Sequence, residues 1–342
     1  MKRTAVRNRS AARLCGDDRI VEEDDQMNDY RPVPAESFQH QSVMLDEVLE
    51  ALSDVPVGPI LDATLGGGGH AAALLEGFPT HSLIGLDRDT DAIAAAGRRL
   101  KLFGNRVTLD HSDFGDLSLA LDKIGSPQIS AFLFDLGVSS PQLDRVERGF
   151  SYRDAGPLDM RMDRTQRRTA SEIVNGYGES ELADVLYRNS DERCARRIAE
   201  AIVAARPVGD TAELAELVRL AIPAPARRSG GHPAKRTFQA IRIEVNSELE
   251  QLAIGLDAAI RCLTPGGRGV VISYHSGEDR LVKVRFDRAV TGGCTCPPLL
   301  PCGCGSIPEA VPLRRRALRP GEAEVERNPR AASARLRILE RA

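Results

Sequence analysis

Three aspartates in this chain each close a short apolar run. Asp62 follows Ile60 and Leu61, Asp87 follows Leu83 to Leu86, and Asp135 follows the run from Ile129 to Phe134. Between the first two lie four consecutive glycines, Gly66 to Gly69, then His70 and small helix formers from Ala71 to Leu75. Strand, glycine turn, helix, strand is a βαβ unit, and its ligand belongs at the carboxyl ends of the strands. Glycines let the backbone turn tightly and approach a ligand without Cβ collisions. An acid closing the second strand can accept both hydrogens of a ribose diol. The pattern points to a ligand with an adenosine-like ribose.

Gly66, Gly68 and Ala71 satisfy the dinucleotide pattern, with Asp87 at about the expected 20 residues further on. A P-loop is excluded, because no Gly-Lys-Ser/Thr follows the glycines. The contest is between a nicotinamide cofactor and S-adenosylmethionine. Asp62 favours the second: a methionine ammonium wants a carboxylate, and a pyrophosphate does not.

The elements that must position these acids read as an α/β chain. Ser42 is a candidate N-cap for a helix with the stripe Val43, Leu45, Val48, Leu49 and Leu52. Asp91 to Phe103 reads as a second helix and Val107 to Leu109 as a third strand, which leads to Phe114. Three acid-tipped strands in succession fit an open parallel sheet with one ligand crossing its edge. The stretch from Asp135 to Asp163 is too rich in glycine, proline and charge to be a simple connection, and such long loops are usually functional. From Thr169 to about Pro223 the periodicity is helical, with Asp210 and Glu213 as a capping box. The stretch from Thr237 to Ser247 leads into a helix expected to run through Leu263, then a strand from Gly269 to Ser273, ending on the polar cluster from Tyr274 to Arg280. This gives a disordered arm (1–37), a core in two parts (38–143 and 236–342) and an inserted substrate loop with a helical subdomain (144–235). Met27 is an alternative start.

The chain has 342 residues, a net charge of −3 and no tryptophan. It is long enough for a substantial core, and any nucleic-acid surface must be local. No apolar run approaches the length of a membrane span, and no signal-peptide core follows the N-terminal basic residues, which points to the cytoplasm. Seven cysteines include a tight group, Cys294, Cys296, Cys302 and Cys304. This is not a secreted disulfide framework; two Cys-x-Cys pairs can supply four thiolates to a structural zinc. Two basic stretches are candidates for phosphate contact: Arg227, Arg228, Lys235, Arg236 and Arg242, and a C-terminal group with Arg314 and Arg315.

The ordered motifs resemble the bacterial small-subunit ribosomal RNA cytidine N4-methyltransferases, the RsmH (formerly MraW) family. The stretches that carry the likeness begin at His40–Glu47, Gly67–His70, Asp87–Asp89 and Asp135–Asp144. They continue through Arg148–Ser151, Gly156–Asp163, Arg236–Ile243, Val245–Glu250, Tyr274–Ser276 and Glu278–Arg280. Gly277 departs from the family pattern, which commonly has leucine there. The resemblance implies a Rossmann-like methyltransferase core interrupted by a helical substrate domain, with S-adenosylmethionine as cofactor. It places cofactor contacts on Gly68, Gly69, His70, Asp87, Phe114, Asp135 and Gln142. It also implies 16S ribosomal RNA in the small subunit as partner, methylated on one cytidine in the P-site region of the decoding centre.

For such chemistry Asp135 is the first candidate to take a hydrogen of the cytosine amine, with His275 and Asp159 as alternatives. Two other readings of the chain are a nicotinamide dehydrogenase on the same βαβ unit and a ribosome-assembly factor that only binds RNA.

Overall fold

The computed structural model describes residues 42–126, 128–224, 231–297 and 303–342. The expected N-terminal arm, Met27, Arg227, Arg228 and Cys302 lie outside the described residues. From His40 to Ala342 the chain forms one compact unit.

Its centre is a seven-stranded sheet. In chain order the strands are β1 (Pro59–Asp62), β2 (Ser82–Asp87), β3 (Val107–His111), β4 (Ile129–Asp135), β5 (Leu263–Ser273), β6 (Ala310–Pro312) and β7 (Arg335–Arg341). Their spatial order is β3-β2-β1-β4-β5-β7-β6. The first five run parallel, and β7 is antiparallel to both β5 and β6. Chain progression reverses between β1 and β4, which opens a crevice at the carboxyl ends of those two strands.

Alternating residues of the strands feed two different cores, as the period of two requires. Leu61, Ile84, Phe132, Phe134 and Val271 pack on one face against the helix Glu248–Cys262. Ile60, Leu83, Leu133, Val270 and Ile272 pack on the other, against Leu52, Leu74 and Leu100. Burial on both faces is why these strands read as continuous apolar runs. The flanking helices are α1 (Leu45–Ala51), α2 (Gly69–Gly77), α3 (Thr90–Arg99) and α4 (Leu117–Ile124). The expected cap at Ser42 is not formed. Met44 occupies the N-cap position at φ 52° with no side-chain cap, and its amide donates to Glu324.

After β4 the chain leaves the sheet through α5 (Ser140–Asp144) and builds α6 (Ala170–Gly176), α7 (Glu179–Ser190), α8 (Ala195–Ala205) and α9 (Thr211–Ala221). Asp210 accepts from the Glu213 amide at 2.8 Å, as the capping pattern predicts. The return bond goes one residue further out, from the Gly209 amide to Glu213. The core of this helical block also takes Phe238, Ala240, Ile241 and Val245 from α10 (Lys235–Asn246), beyond the boundary expected at residue 235. The stretch from Thr237 to Ser247, expected to lead into a helix through Leu263, is itself helical up to Asn246, and the expected helix follows it. Ser247, at φ 49°, ends α10 and starts α11 (Glu248–Cys262). α12 (Ser276–Thr291) then follows β5.

Candidate functional site

On either side of β1 the neighbouring strand runs two residues further. Asp62 sits level with Gly85 of β2 and Leu133 of β4, so Asp87 and Asp135 stand beyond it on opposite flanks. The three carboxylates therefore line one crevice, with Asp62 at its floor, 1% exposed. Burial pushes the Asp62 carboxyl up to about 7; the charges of Asp135 and Asp87 add to this, and His70 opposes it. Burial likewise raises Asp87 to about 6. Asp87 is held by the amides of Gly66 and Asp89, each at 2.8 Å. A crevice that strains against its own negative charge is built for a cation.

The glycine turn brings backbone to this crevice. Gly68 is left-handed at φ 74°, and a Cβ there would press on Ala96. A Cβ on Gly69 would collide with the Ser42 hydroxyl. These two glycines are required by packing as well as by any ligand. Gly67, with nothing near its missing side chain, is the one that faces open space.

His70 is buried in the first turn of α2. Its Nε2 donates to the Val43 carbonyl at 2.9 Å, since a carbonyl can only accept. Nδ1 then faces Asp135 Oδ2 at 3.6 Å. The other carboxylate oxygen of Asp135 accepts from the Tyr274 hydroxyl at 2.7 Å, and the Asp135 amide donates to Thr64 Oγ1 at 2.6 Å. Burial, and then Asp135 itself, hold the Tyr274 phenol well above its ordinary range, so it stays a donor. Neither Tyr274 nor Thr64 was expected as a site residue. The signal for Tyr274 was its place one residue beyond a strand end.

His275 is the N-cap of α12, its Nδ1 accepting from the Glu278 amide at 3.3 Å. Its Nε2 lies 3.1 Å from Glu278 Oε1 but is not aligned for a hydrogen bond. Burial raises the Glu278 carboxyl, but His275, Arg242 and the Tyr274 amide outweigh it and hold the group below its ordinary value. This cluster supports Tyr274 from behind.

Other expected residues are placed differently. Asp159 grips Arg161 through two bonds, at 2.8 and 2.9 Å. Burial raises its carboxyl, and Arg161 more than reverses this, which makes Asp159 a poor proton acceptor. Gln142 is buried with both ends engaged: it accepts from the Ser139 amide and donates to Asp89 at 3.0 Å. It braces α5 against α3 rather than lining the crevice. Phe114, half buried, packs on Phe134 with ring centroids 5.5 Å apart. Asp89 is also bonded to the buried Arg148 at 2.9 Å, whose guanidinium reaches the Arg161 and Met162 carbonyls. That pair bolts the loop after β4 to the sheet edge.

Among the basic candidates, Lys235, Arg236, Arg314 and Arg315 are exposed. Arg242 is not available to phosphate: it forms a buried bidentate pair with Glu248, at 2.7 and 2.8 Å. A cavity of about 460 Å³ adds cations that were not expected, with Arg88, Arg167 and Arg168 lining it together with Glu172, Gln166, Asn246 and Gln251. Arg88 is anchored to Asp113 at 2.8 Å. The Sγ atoms of Cys294, Cys296 and Cys304 lie within 4.8 Å of one another. No helix among the described residues is long and apolar enough to cross a membrane.

Curated relatives align with the chain over most of their length. The chain is 51% identical over 308 residues to "Ribosomal RNA small subunit methyltransferase H" of Symbiobacterium thermophilum, covering 89% of this chain and 96% of that one. It is 49% identical to the protein of the same name from Geobacter sp. strain M21, covering 90% and 99%. It is 53% identical to that from Salinispora tropica, covering 88% and 84%. Residues 37–342 match the profile of the MraW methylase family. The chain, an α/β methyltransferase with an acid-lined crevice at its sheet switch point, belongs to the MraW methylase family.

Proposed function

We propose that the protein methylates the exocyclic N4 of one cytidine in the decoding region of small-subunit ribosomal RNA, with S-adenosylmethionine as cofactor. The relatives' names support the ribosomal substrate. The observation that carries the cofactor is the crevice of Asp62, Asp87 and Asp135, whose buried charge suits a ligand with a sulfonium and an ammonium and repels a pyrophosphate. When bound, S-adenosylmethionine supplies an electrophilic methyl group. Asp87, steered by two backbone amides, takes the ribose hydroxyls. Asp62 takes the ammonium, and Phe114 lies beside the adenine.

The amine of cytosine is a poor nucleophile, because its lone pair is delocalised into the ring. Holding it in line and letting it become tetrahedral is the enzyme's task. Asp135 accepts one amine hydrogen and afterwards the proton. The Tyr274 hydroxyl, donating to Oδ1, orients its carboxylate. His275 supports Tyr274 and is not the acceptor, and Asp159 is committed to Arg161. The RNA backbone crosses the cavity rimmed by Arg167 and Arg168, and the base must leave its stack to reach the crevice.

The assignment is tested by nucleoside mass spectrometry of small-subunit RNA from cells with and without the protein. Loss of one N4-methylated cytidine is expected, and an unchanged nucleoside profile would remove the ribosomal reading. Calorimetry separates the dehydrogenase: binding of a nicotinamide cofactor without S-adenosylmethionine would reverse the assignment. Cofactor binding without methyl transfer to assembled small subunits would favour a factor that only binds RNA. Asp135→Asn should keep its shape and lose single-turnover rate at saturating cofactor by about 100-fold or more, the scale of general-base catalysis.

A further inference from the structure

We propose that Cys294, Cys296 and Cys304 form a thiolate zinc site that staples the loop between α12 and β6. This goes beyond the methyl-transfer reading and does not rest on it.

The loop has a closed neck and an uncored body. Gly292 is left-handed at φ 60°, and a Cβ on it would strike the Ile307 backbone, so the two ends of the loop touch. The Glu309 amide donates to the Ala289 carbonyl at 2.8 Å, and the Cys294 amide to the Thr291 carbonyl at 3.1 Å. Beyond this neck, Gly303, Cys304 and Gly305 are exposed, Ile307 is 79% exposed, and no described residue between Gly293 and Glu309 is buried. A segment that cannot bury its own apolar surface needs another source of folding energy, and a metal clip is the usual one.

The sulfurs stand where such a clip would sit. All three converge within 4.8 Å, and Cys304 Sγ is 3.5 Å from Cys294 Sγ. A disulfide requires roughly 2.0 Å. Two thiolates on a tetrahedral zinc, each about 2.3 Å from the ion, lie roughly 3.8 Å apart. The Cys296 amide points at Cys294 Sγ at 3.4 Å, the kind of N–H to sulfur contact that steadies a metal-bound thiolate. A donor set made only of sulfur selects soft or borderline ions and excludes magnesium and calcium. The Cys-x-Cys step puts two ligands on one short turn, and Cys304 returns from the far side of the loop.

The full-length chain, produced in zinc-replete medium and purified with its thiols reduced, should carry about one zinc by plasma mass spectrometry. Cys294→Ser and Cys304→Ser should each lower this about tenfold or more, while Cys194→Ser, in the helical block, leaves it unchanged. Cobalt exchanged into the wild type should give an intense thiolate-to-cobalt charge-transfer band, a result that does not depend on how the variants fold. Stripping the metal with a chelator should open the 292–309 segment to proteolysis while cofactor affinity holds. The proposal is overturned by a wild type with no stoichiometric metal, by iron or copper in place of zinc, or by peptide mapping of a Cys294–Cys304 disulfide. Variants that keep full zinc would overturn it as well.

Discussion

Charge is handled in opposite ways at the sheet edge and in the inserted loop and helical block. At the edge, burial lifts Asp62 to about 7 and Asp87 to about 6; the charges of Asp135 and Asp87 add to the first and that of Asp89 to the second. In the insert and at its joint with the core, buried and half-buried charges come in tight pairs: Arg148 with Asp89, Arg242 with Glu248, Asp159 with Arg161. A compensated charge fixes architecture, and an uncompensated one waits for a ligand. Removing an acid from the edge should relieve strain and damage binding. Removing a partner from the insert should strand a buried charge and damage folding.

The largest expected effect follows from the paired side. Arg148 is 4% exposed and holds Asp89 together with the carbonyls of Arg161 and Met162. Arg148→Ala leaves Asp89 buried and uncompensated, and should cost about 3–5 kcal/mol of unfolding free energy. Denaturant titration followed by far-ultraviolet circular dichroism measures it. A loss under about 1 kcal/mol would mean that the loop is held by packing and that the pair is incidental.

The uncompensated side predicts the reverse sign. The Asp62 carboxyl titrates at about 7 in the folded chain, against 3.8 for an ordinary aspartate. Below pH about 4 both states are protonated and the residue costs nothing. Between 3.8 and 7 the unfolded state releases its proton first, so stability falls as pH rises, and the full penalty is reached above 7. Asp62→Asn should therefore stabilise the ligand-free protein by about 1–3 kcal/mol at pH 8 and by little at pH 4. The same variant should bind cofactor more weakly. In the wild type, cofactor affinity should fall roughly 100-fold between pH 7 and pH 5 as Asp62 takes up its proton, a tenfold step per unit. Calorimetry across that range checks this, and a flat profile would show that the ligand does not use the buried acids.

What could be read from the chain, and what could not, follows the same division. The acid-tipped strands were legible because strands buried on both faces are unbroken apolar runs, and each run stopped at its aspartate. The helical block was legible from its period. The pairing of Asp89 was not, because its partners are remote in sequence: it meets Gln142 and Arg148 more than 50 residues away. Gln142 thus looked available and proves to be engaged, whereas Arg242 is held by Glu248 only six residues on, across a helix break. Ser247, left-handed at φ 49° between two helices, is neither glycine nor proline, so its backbone turn has no local signal. Tyr274 reaches Asp135 across 139 residues, and only the fold brings the two together.

The smallest effect belongs to charges that are neither buried nor strained. Arg314 and Arg315 are exposed on the segment between β6 and β7, where a charge is worth little to the fold. Their value lies in the counterions that RNA releases when they meet its phosphates. Arg314→Gln with Arg315→Gln should leave the unfolding midpoint and cofactor affinity within error. RNA affinity should drop nearly uniformly across sequences, and the log-log salt slope should flatten by roughly 0.7–0.9 per lost contact. Arg167→Gln, on the rim of the cavity that Arg168 also lines, should flatten it by the same increment. If the Arg314 and Arg315 pair leaves the slope unchanged while Arg167 moves it, the C-terminal arginines are a solvated face and the RNA path runs through the cavity alone.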